Sequence, residues 1–255
     1  MIYNANRILS TTIYQDSDQK WYASVLVECE TQTCLPNQIR TTGIDLGLKT
    51  TVVLADGSFV NASKPTEKYR KKLKKLQQIF SRKLELRKNI KDPYGRIIFS
   101  KSMVNLKKKI GRLHFKIKNI RKDFNHKLSR HIVDNFEIIT MEDLNIQQML
   151  QKGGDFARNI QDVAWFQLRT FIEYKCKWAG KILLLASKWL PSSKTCSDCG
   201  CIVDLKISMR KWKCPNCNII HDRDVNAAKN LDRISRTLYE TGIEITNPKE
   251  FANSF

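Results

Sequence analysis

The C-terminal third of this 255-residue chain carries two closely spaced pairs of metal-binding side chains. Cys196 and Cys199 form one Cys-x-x-Cys pair, Cys214 and Cys217 form a second, and 14 residues separate the two pairs. Two such turns facing each other place four thiolates tetrahedrally around zinc, so we expect a zinc ribbon here. Because a closed four-thiolate shell leaves no position for water, this zinc is expected to be structural and not catalytic.

Carboxylates that could serve a different metal lie at three distant points of the sequence. Asp45 interrupts an apolar strand, Glu142 closes a second apolar strand, and Asp224 begins a helix that we expect to reach about residue 237. Three acids placed in this way can hold two divalent cations about 4 Å apart, an arrangement that cleaves phosphodiesters. One cation would activate the attacking water, and the other would stabilise the leaving 3′ oxygen. Magnesium or manganese is expected, because these ions suit hard oxygen ligands.

Each of these acids also has a purely structural interpretation. Asp45 could accept hydrogen bonds from backbone donors at the end of its strand, and Asp222 or Asp224 could stabilise the start of the helix. Burial of a carboxylate costs free energy unless the group has a partner, and a cation is the expected partner of Asp45. The residues alone leave these alternatives open.

The net charge of the chain is +20, and it is concentrated in one segment. Residues 64–130 contain 24 Lys or Arg and 4 Asp or Glu, so this segment alone carries the whole excess. A polyanion is the expected partner, since neutralising phosphates releases counterions, and a solvated helical face is the alternative. The side chains that we expect to contact nucleic acid are Lys71, Lys72, Lys74, Lys75, Arg82, Lys107, Lys108, Lys109, Arg112 and Arg121.

Apolar periodicity predicts the elements that must position these residues. Strands are expected at 7–13 and 21–29, which form a hairpin, and at 43–46, 50–54, 58–60, 136–141 and 181–186. The basic segment predicts two helices that pack antiparallel, one over 66–89 and one whose apolar residues repeat in steps of 4 and 3 between 99 and 128. A further helix at 161–179 is expected to bury Val163, Phe166, Leu168, Phe171, Ile172, Cys176 and Trp178.

The sequence also bears on the cellular compartment. The chain has no run of about 18 apolar residues, and its N-terminus lacks the pattern of a signal peptide. We therefore expect no membrane span and a cytoplasmic, nucleoid-associated protein. In that compartment cysteines serve as metal ligands or buried thiols, not as a disulfide framework.

Five motifs in this order resemble the RuvC-like nuclease of TnpB proteins, the OrfB-type, transposon-encoded relatives of type V CRISPR effectors. They are GIDLG, ITMEDLNI, CSDCG, CPNC and HDRDVNAAKN, and the resemblance covers about residues 42–231. It implies an α/β fold of the RNase H-like (RuvC) class, with a long antiparallel basic helical hairpin and an inserted four-cysteine zinc ribbon. It also implies RNA-guided, magnesium-dependent cutting of DNA, with DNA and a guide RNA as partners. The family's catalytic acids match Asp45, Glu142 and Asp224, and Asp222 is the less favoured match for the last.

The resemblance also suggests a division of the chain. Residues 1–41 would be a remnant of an N-terminal β-rich region, and residues 42–190 the nuclease domain, with the helical hairpin inserted at 66–133. Residues 191–220 would form the ribbon, 221–240 the last acidic motif and its helix, and 241–255 a tail. Family members carry a longer N-terminal region that binds the guide RNA and recognises the motif beside the DNA target, so most of this region is expected to be absent.

A truncated nucleic-acid-binding protein that does not cut is the alternative function. A RuvC-type resolvase and a DDE-type transposase fit the ribbon and the motif order less well.

Overall fold

The computed structural model describes residues 5–16, 19–29, 39–62, 64–151, 153–187, 189–206 and 208–241. The chain forms two compact units. The first contains residues up to 31 together with 64–123, and the second contains 32–63 and the residues from 124 onwards. Apart from Thr241, the predicted tail at 241–255 lies outside the described residues.

The first unit begins with an antiparallel hairpin. Strand β1 (Ala5–Gln15) pairs with β2 (Trp21–Cys29), which confirms the predicted hairpin; β1 is longer than predicted, and β2 has the predicted bounds. The ring of Tyr22 lies 6.1 Å from that of Phe115, and the Lys118 amine contacts the Asp16 carboxylate at 2.7 Å. The hairpin therefore packs against the basic helical segment of the same unit.

Two helices form the basic segment. They are α1 (Pro65–Glu85), which ends four residues before the predicted boundary, and α2 (Lys101–Asn135). The Phe80 and Phe99 rings meet edge to face at 5.8 Å, and the Lys116 amine lies 5.3 Å from the ring centre of Tyr69. Contacts between the end of α1 and the start of α2, and between the start of α1 and a later turn of α2, confirm the antiparallel hairpin. The buried residues of the predicted seam are Met103, Leu106, Leu113, Ile117 and Leu128.

The second unit is built on a mixed five-stranded sheet, which makes the fold α/β. Its strand order is β5-β4-β3-β6-β7, with β3, β6 and β7 parallel to one another and β4 and β5 antiparallel to their neighbours. The strands are β3 (Thr41–Leu46), β4 (Val52–Leu54), β5 (Phe59–Val60), β6 (Ile138–Glu142) and β7 (Ile182–Ala186). The remaining helices are α3 (Ile146–Gln151), α4 (Gly154–Val163), α5 (Trp165–Ala179) and α6 (Arg223–Thr241).

Both faces of this sheet are covered by helices. On one face, the last turns of α2 and the apolar side of α5 pack on Ile44, Ile139 and Met141. On the other face, α6 packs on Ile138 and Leu184. Successive residues of β6 thus point to opposite faces, as expected for a strand buried on both sides. The packing helix residues are Leu128, Ile132, Val133, Leu168, Ile172 and Cys176 on the first face, and Leu231, Ile234 and Leu238 on the second.

The helix predicted at 161–179 is in fact two helices. Ala164 takes a left-handed conformation (φ 53°) between α4 and α5, so the helical periodicity restarts at Trp165. The buried residues of α5 are Trp165, Leu168, Ile172, Lys175 and Cys176. Phe166 is 67% exposed and Trp178 is 51% exposed, so the predicted burial of these two side chains was wrong.

Cys176 lies in the core as predicted, and burial raises the pKa of its thiol to about 12. Within the described ranges, none of the helices combines the length and the apolar character needed to cross a membrane.

Candidate active site and metal-binding ribbon

The four cysteines of the two Cys-x-x-Cys pairs converge in the structure. Their sulfur atoms all lie within 4.8 Å of one another. The Sγ atoms of Cys196 and Cys217 are 3.6 Å apart, and those of Cys199 and Cys214 are also 3.6 Å apart. Four thiolates at zinc–sulfur distances of about 2.3 Å would be separated by about 3.8 Å in a tetrahedron. The cluster therefore fits a zinc ion.

A histidine that the sequence pattern did not single out supports this cluster. The ribbon contains a short antiparallel pair, β8 (Lys211–Lys213) and β9 (Ile220–Asp222), and His221 on β9 is buried. Its Nε2 atom lies 3.1 Å from Cys196 Sγ, and its ring packs against Trp212 at 4.7 Å. Because outer-shell partners orient metal ligands, His221 is placed to hold the Cys196 sulfur in position. Its place as the first residue of the HDRDVNAAKN motif was the available signal.

Asp45 and Glu142 are brought together by strand register. Strands β3 and β6 are parallel neighbours, and Ile44 pairs with Met141. Each acid is the next residue along its strand, so both carboxylates lie at the same edge of the sheet. In open α/β sheets ligands bind beyond the carboxyl ends of the strands, which is where these acids lie.

The third acid is carried on α6, which lies unusually close to β3. A Cβ atom added to Gly43 would come within 2.0 Å of the Ala228 carbonyl oxygen and 2.4 Å of the Asp232 nitrogen. The hydroxyl groups of Thr140 on β6 and Ser235 on α6 are 2.6 Å apart. A glycine on the strand and an alanine on the helix thus permit the approach that carries Asp224, the second residue of α6, towards the sheet.

The electrostatics of the three acids indicate mutual proximity. The pKa of Asp45 is raised from 3.8 to about 8, chiefly by burial and then by repulsion from Glu142 and Asp224. Burial also raises the pKa of Glu142, although a hydrogen bond from the Ser192 hydroxyl and the charge of Arg223 act in the opposite direction. Crowded, desolvated carboxylates of this kind are stabilised by a bound cation.

These carboxylates are more widely spaced than the ligands of a single ion. In the part of the chain that the structure describes, the groups of three or more possible ligand atoms within 4.8 Å of one another both lie in the ribbon. They are the four-cysteine cluster and the group formed by Cys196, Asp198 and His221.

Asp222 and Asp224 have different surroundings. The Asp222 carboxylate accepts hydrogen bonds from the backbone N–H groups of Asp224 and Val225, at 3.0 and 3.2 Å, and so caps α6. The Asp224 carboxylate instead contacts Nη1 of Arg210 through both oxygens, at 2.8 and 2.7 Å. Asp224 is also the member of the pair whose charge acts on Asp45.

Two asparagines of the Asn-Ala-Ala-Lys-Asn run join α6 to the start of the ribbon. The side-chain amide of Asn226 donates to the Thr195 carbonyl at 2.7 Å, and that of Asn230 donates to the same carbonyl at 2.6 Å and to that of Ser192 at 2.7 Å. The sequence pattern did not assign these roles, although a four-residue spacing places both amides on one helical face.

The predicted nucleic-acid contacts lie on the two helices of the first unit. Nine of the ten basic side chains are exposed, whereas Arg121 is half-buried and donates a hydrogen bond to Thr66. The exposed residues are Lys71, Lys72, Lys74, Lys75, Arg82, Lys107, Lys108, Lys109 and Arg112.

Two models of known protein families match segments of this chain, and together the segments include residues of both units. A family model described as "Probable transposase", OrfB_IS605, matches residues 24–153, which is just over half of the chain. The chain belongs to the OrfB_IS605 family. A second model, "Cas12f1-like, TNB domain", matches residues 165–231, which include the ribbon and the start of α6. The predicted resemblance to TnpB proteins is thus confirmed.

Several curated relatives of this OrfB_IS605 chain are named as nucleases. A Streptomyces pristinaespiralis protein named "Putative RNA-guided DNA endonuclease" is 36% identical over 87% of this chain and 52% of its own length. The Escherichia coli K12 protein "Putative RNA-guided DNA endonuclease InsQ" is 28% identical, over 88% of this chain and 56% of its own length. The chain therefore spans about half the length of these relatives.

Among solved structures, the chain resembles one described as "Cryo-EM structure of the Cas12f1-sgRNA-target DNA complex". The TM-score is 0.47 at 21% sequence identity, and the match covers 87% of this chain and 55% of that one.

Proposed function

We propose that this chain is the nuclease portion of a TnpB-like, RNA-guided DNA endonuclease that hydrolyses DNA phosphodiester bonds with two divalent cations, Mg²⁺ or Mn²⁺. The observation that carries the proposal is the position of Asp45. Burial raises the pKa of its carboxyl to about 8, and the carboxylate also lies close enough to Glu142 and Asp224 for their charges to add to this shift. Three acids that are about 80 to 180 residues apart in sequence are thus close enough for their charges to repel, and bound cations would neutralise this repulsion.

In this proposal the three carboxylates hold the cations, which would supply activation of the attacking water and stabilisation of the departing 3′ oxygen. The chain's own residues fix the ligands. The Ser192 hydroxyl orients Glu142. Because Asp222 caps α6, the Asp224 carboxylate is not used by the backbone of the helix and pairs with Arg210 instead. Hydrolysis adds water across the phosphorus–oxygen bond and leaves a 5′ phosphate and a 3′ hydroxyl.

The proposal also assigns a role to the ribbon and a fold class to the sheet. A zinc ion held by the four cysteines would be structural, because four thiolates close its coordination shell. The mixed sheet, with acids on two adjacent strands and on a covering helix, supports an RNase H-like (RuvC) assignment. DNA and a guide RNA are the proposed partners, since relatives carry "RNA-guided DNA endonuclease" in their names and nine basic side chains of the helical hairpin are exposed.

The test uses the purified chain with bound zinc, incubated with Mg²⁺ or Mn²⁺ and single-stranded DNA, alone and with co-expressed RNA. Cleavage is expected to require the cation and to be abolished by Asp45→Asn, Glu142→Gln or Asp224→Asn. Asp222→Asn is the matched control, because asparagine still caps the helix while the negative charge is lost. Cleavage that survived Asp45→Asn and Asp224→Asn would refute the assignment of these acids.

The exposed basic surface favours a second candidate, a transposon-derived protein that binds nucleic acid without targeted cleavage. Binding by this surface should weaken steeply as salt rises, since each phosphate contact releases a counterion. Replacing Lys107, Lys108 and Lys109 with glutamine should reduce the salt slope, whereas the acid substitutions should leave binding intact. Salt-independent binding would exclude this candidate, and acid-dependent cleavage would favour the nuclease.

A further inference from the structure

A cavity of about 660 Å³ lies in the second unit, at the carboxyl ends of β6 and β7. Its walls include Asp143, which directly follows Glu142, and Ser187, which directly follows Ala186, the residue paired with Glu142. A volume of this size is typical of ligand sites, and the carboxyl edge of a sheet is where such sites form. The cavity therefore borders Asp143, the residue after Glu142, on the face of the sheet that α5 covers.

Two aromatic side chains on the cavity wall are largely exposed. Phe166 is 67% exposed and Trp189 is 81% exposed, although large apolar side chains usually contribute to the core. Phe166 lies on the cavity wall because α5 begins as a separate helix after the left-handed residue Ala164. Exposed aromatic rings beside a polar rim are typical of binding surfaces, and such rings offer faces on which nucleobases stack.

Polar groups line the same cavity. Arg169 is held there by an ion pair with Asp143, which fixes one edge of the guanidinium group. An arginine fixed in this way retains further N–H donors for a phosphate. The other polar groups of the wall are Asn145, Gln147 and Ser187. The rest of the wall is aliphatic, formed by Leu144, Ile146, Leu150 and Leu185. The lining thus offers apolar surface to the flat faces of bases and an arginine to an anionic backbone.

We propose that this cavity binds unpaired bases of a DNA single strand next to the phosphodiester that is cut, through stacking on Phe166 and Trp189 and a phosphate contact from Arg169. Stacking on these side chains requires bases that are out of a duplex, so the occupant is single-stranded. The site rests on the proposed function, because the strand is identified as one that passes from this cavity around the carboxyl ends of β6 and β7 to Glu142. It would position the strand, while the acids would perform the cleavage.

The test measures which nucleotides of the strand the protein contacts through their bases. In an Asp45→Asn background, which binds without cutting, the affinity for a short DNA single strand is measured while one abasic nucleotide is moved along it. Salt is kept high enough to suppress backbone binding by the basic helices. One or two positions are expected to lose roughly 5- to 150-fold in affinity, the range for a stacked base. Phe166→Ala and Trp189→Ala should abolish this position dependence.

Matched variants separate stacking from packing. Phe166→Tyr and Trp189→Phe keep an aromatic ring and should retain the position dependence, whereas Phe166→Leu keeps apolar volume and should lose it. Tyr239→Ala, at a side chain on α6 that is 53% exposed and not part of the cavity wall, should change nothing. Thermal melting of each variant identifies any that is misfolded.

The proposal is overturned if the abasic dependence is unchanged in Phe166→Ala and Trp189→Ala, or if RNA of the same sequence binds with equal affinity and the same dependence. Cleavage by the chain with Asp45 intact is assayed separately. Aromatic-dependent base reading without any cleavage would support the cavity and refute the proposed nuclease activity. Cleavage that continues while base reading is absent would refute the cavity alone.

Discussion

Arg210 of the ribbon and Asp224 of α6 form an ion pair that connects the ribbon to the helix carrying the third candidate acid. One guanidinium nitrogen contacts both carboxylate oxygens, at 2.8 and 2.7 Å. The Arg210 carbonyl also accepts a hydrogen bond from the backbone N–H of Arg223 at 2.8 Å, so a backbone contact joins the ribbon to the start of α6 beside the ion pair. The ribbon thereby places a positive charge beside the three acids.

Removal of this charge should raise the pKa of Asp45 further. Arg210 and Arg223 are the two positive charges that lower this pKa, against burial and the two neighbouring acids. In Arg210→Gln we therefore expect the Asp45 carboxyl to titrate at a higher pH, as followed by ¹³C NMR of the magnesium-free protein. Lys213→Gln, at an exposed ribbon residue, is the control and should leave the titration in place. A titration that does not move in Arg210→Gln would contradict the electrostatic role of the pair.

The stability of the magnesium-free protein should fall as pH rises through the acid to neutral range. The folded protein holds the Asp45 proton more tightly than the unfolded chain does, because the pKa is about 8 in the fold and 3.8 ordinarily. The resulting stabilisation is fully present below about pH 4 and is lost as pH approaches 8, with a slope of at most about 1.4 kcal/mol per pH unit. Urea unfolding across this range should detect it.

Asp45→Asn should remove this part of the pH dependence, since asparagine does not titrate. Asp155→Asn, at an exposed side chain of α4, should retain it. If Asp45→Asn unfolded with the same pH slope as the parent, the raised pKa would be wrong. Added Mg²⁺ should bind more tightly as pH rises, because the carboxyl must lose its proton to bind the ion.

Gly43→Ala should destabilise the second unit. The new methyl group would lie 2.0 Å from the Ala228 carbonyl oxygen, so either β3 or α6 must move. Overpacking of this kind costs about 1–3 kcal/mol, and displacement of α6 would also carry Asp224 away from Asp45. Chemical unfolding and cleavage assays should both report a loss. Gly95→Ala is the comparison. Its Cβ would meet no described atom within 4 Å, but its φ of 76° makes alanine strained there, so it should lower the stability of the other unit and leave cleavage intact.

Cys214→Ser should prevent zinc retention. The Cys214 sulfur is buried within the four-cysteine cluster, and loss of one thiolate opens the coordination shell. Metal analysis of the purified protein should show a loss of zinc, and the ribbon should become sensitive to protease. Cys201→Ser is the matched control, because this half-buried ribbon cysteine lies outside the four-cysteine cluster. Equal zinc content in both variants would contradict the assignment.

Features that depend on residues close together along the chain were predictable from the sequence. The 4-3 spacing of apolar residues predicted the helical hairpin, and alternating or continuous apolar runs predicted the strands, because side-chain periodicity follows local geometry. The Cys-x-x-Cys spacing predicted a cluster that the structure brings within 4.8 Å. The three acids were identified as candidates, and their catalytic roles stay predictions. Exposure of Phe166 was not predictable, because it depends on the left-handed turn at Ala164.

Tertiary structure decided which side chains meet. Asp45 and Glu142 are neighbours because β3 and β6 pair in parallel with Ile44 opposite Met141, a register that no local pattern records. The pairing of Arg210 with Asp224 likewise depends on how the ribbon folds back onto α6. Thus the sequence determined the chemical types and the local elements, through interactions between residues close along the chain. Packing between distant elements determined the site, because strand register and helix approach set the distances between its charges.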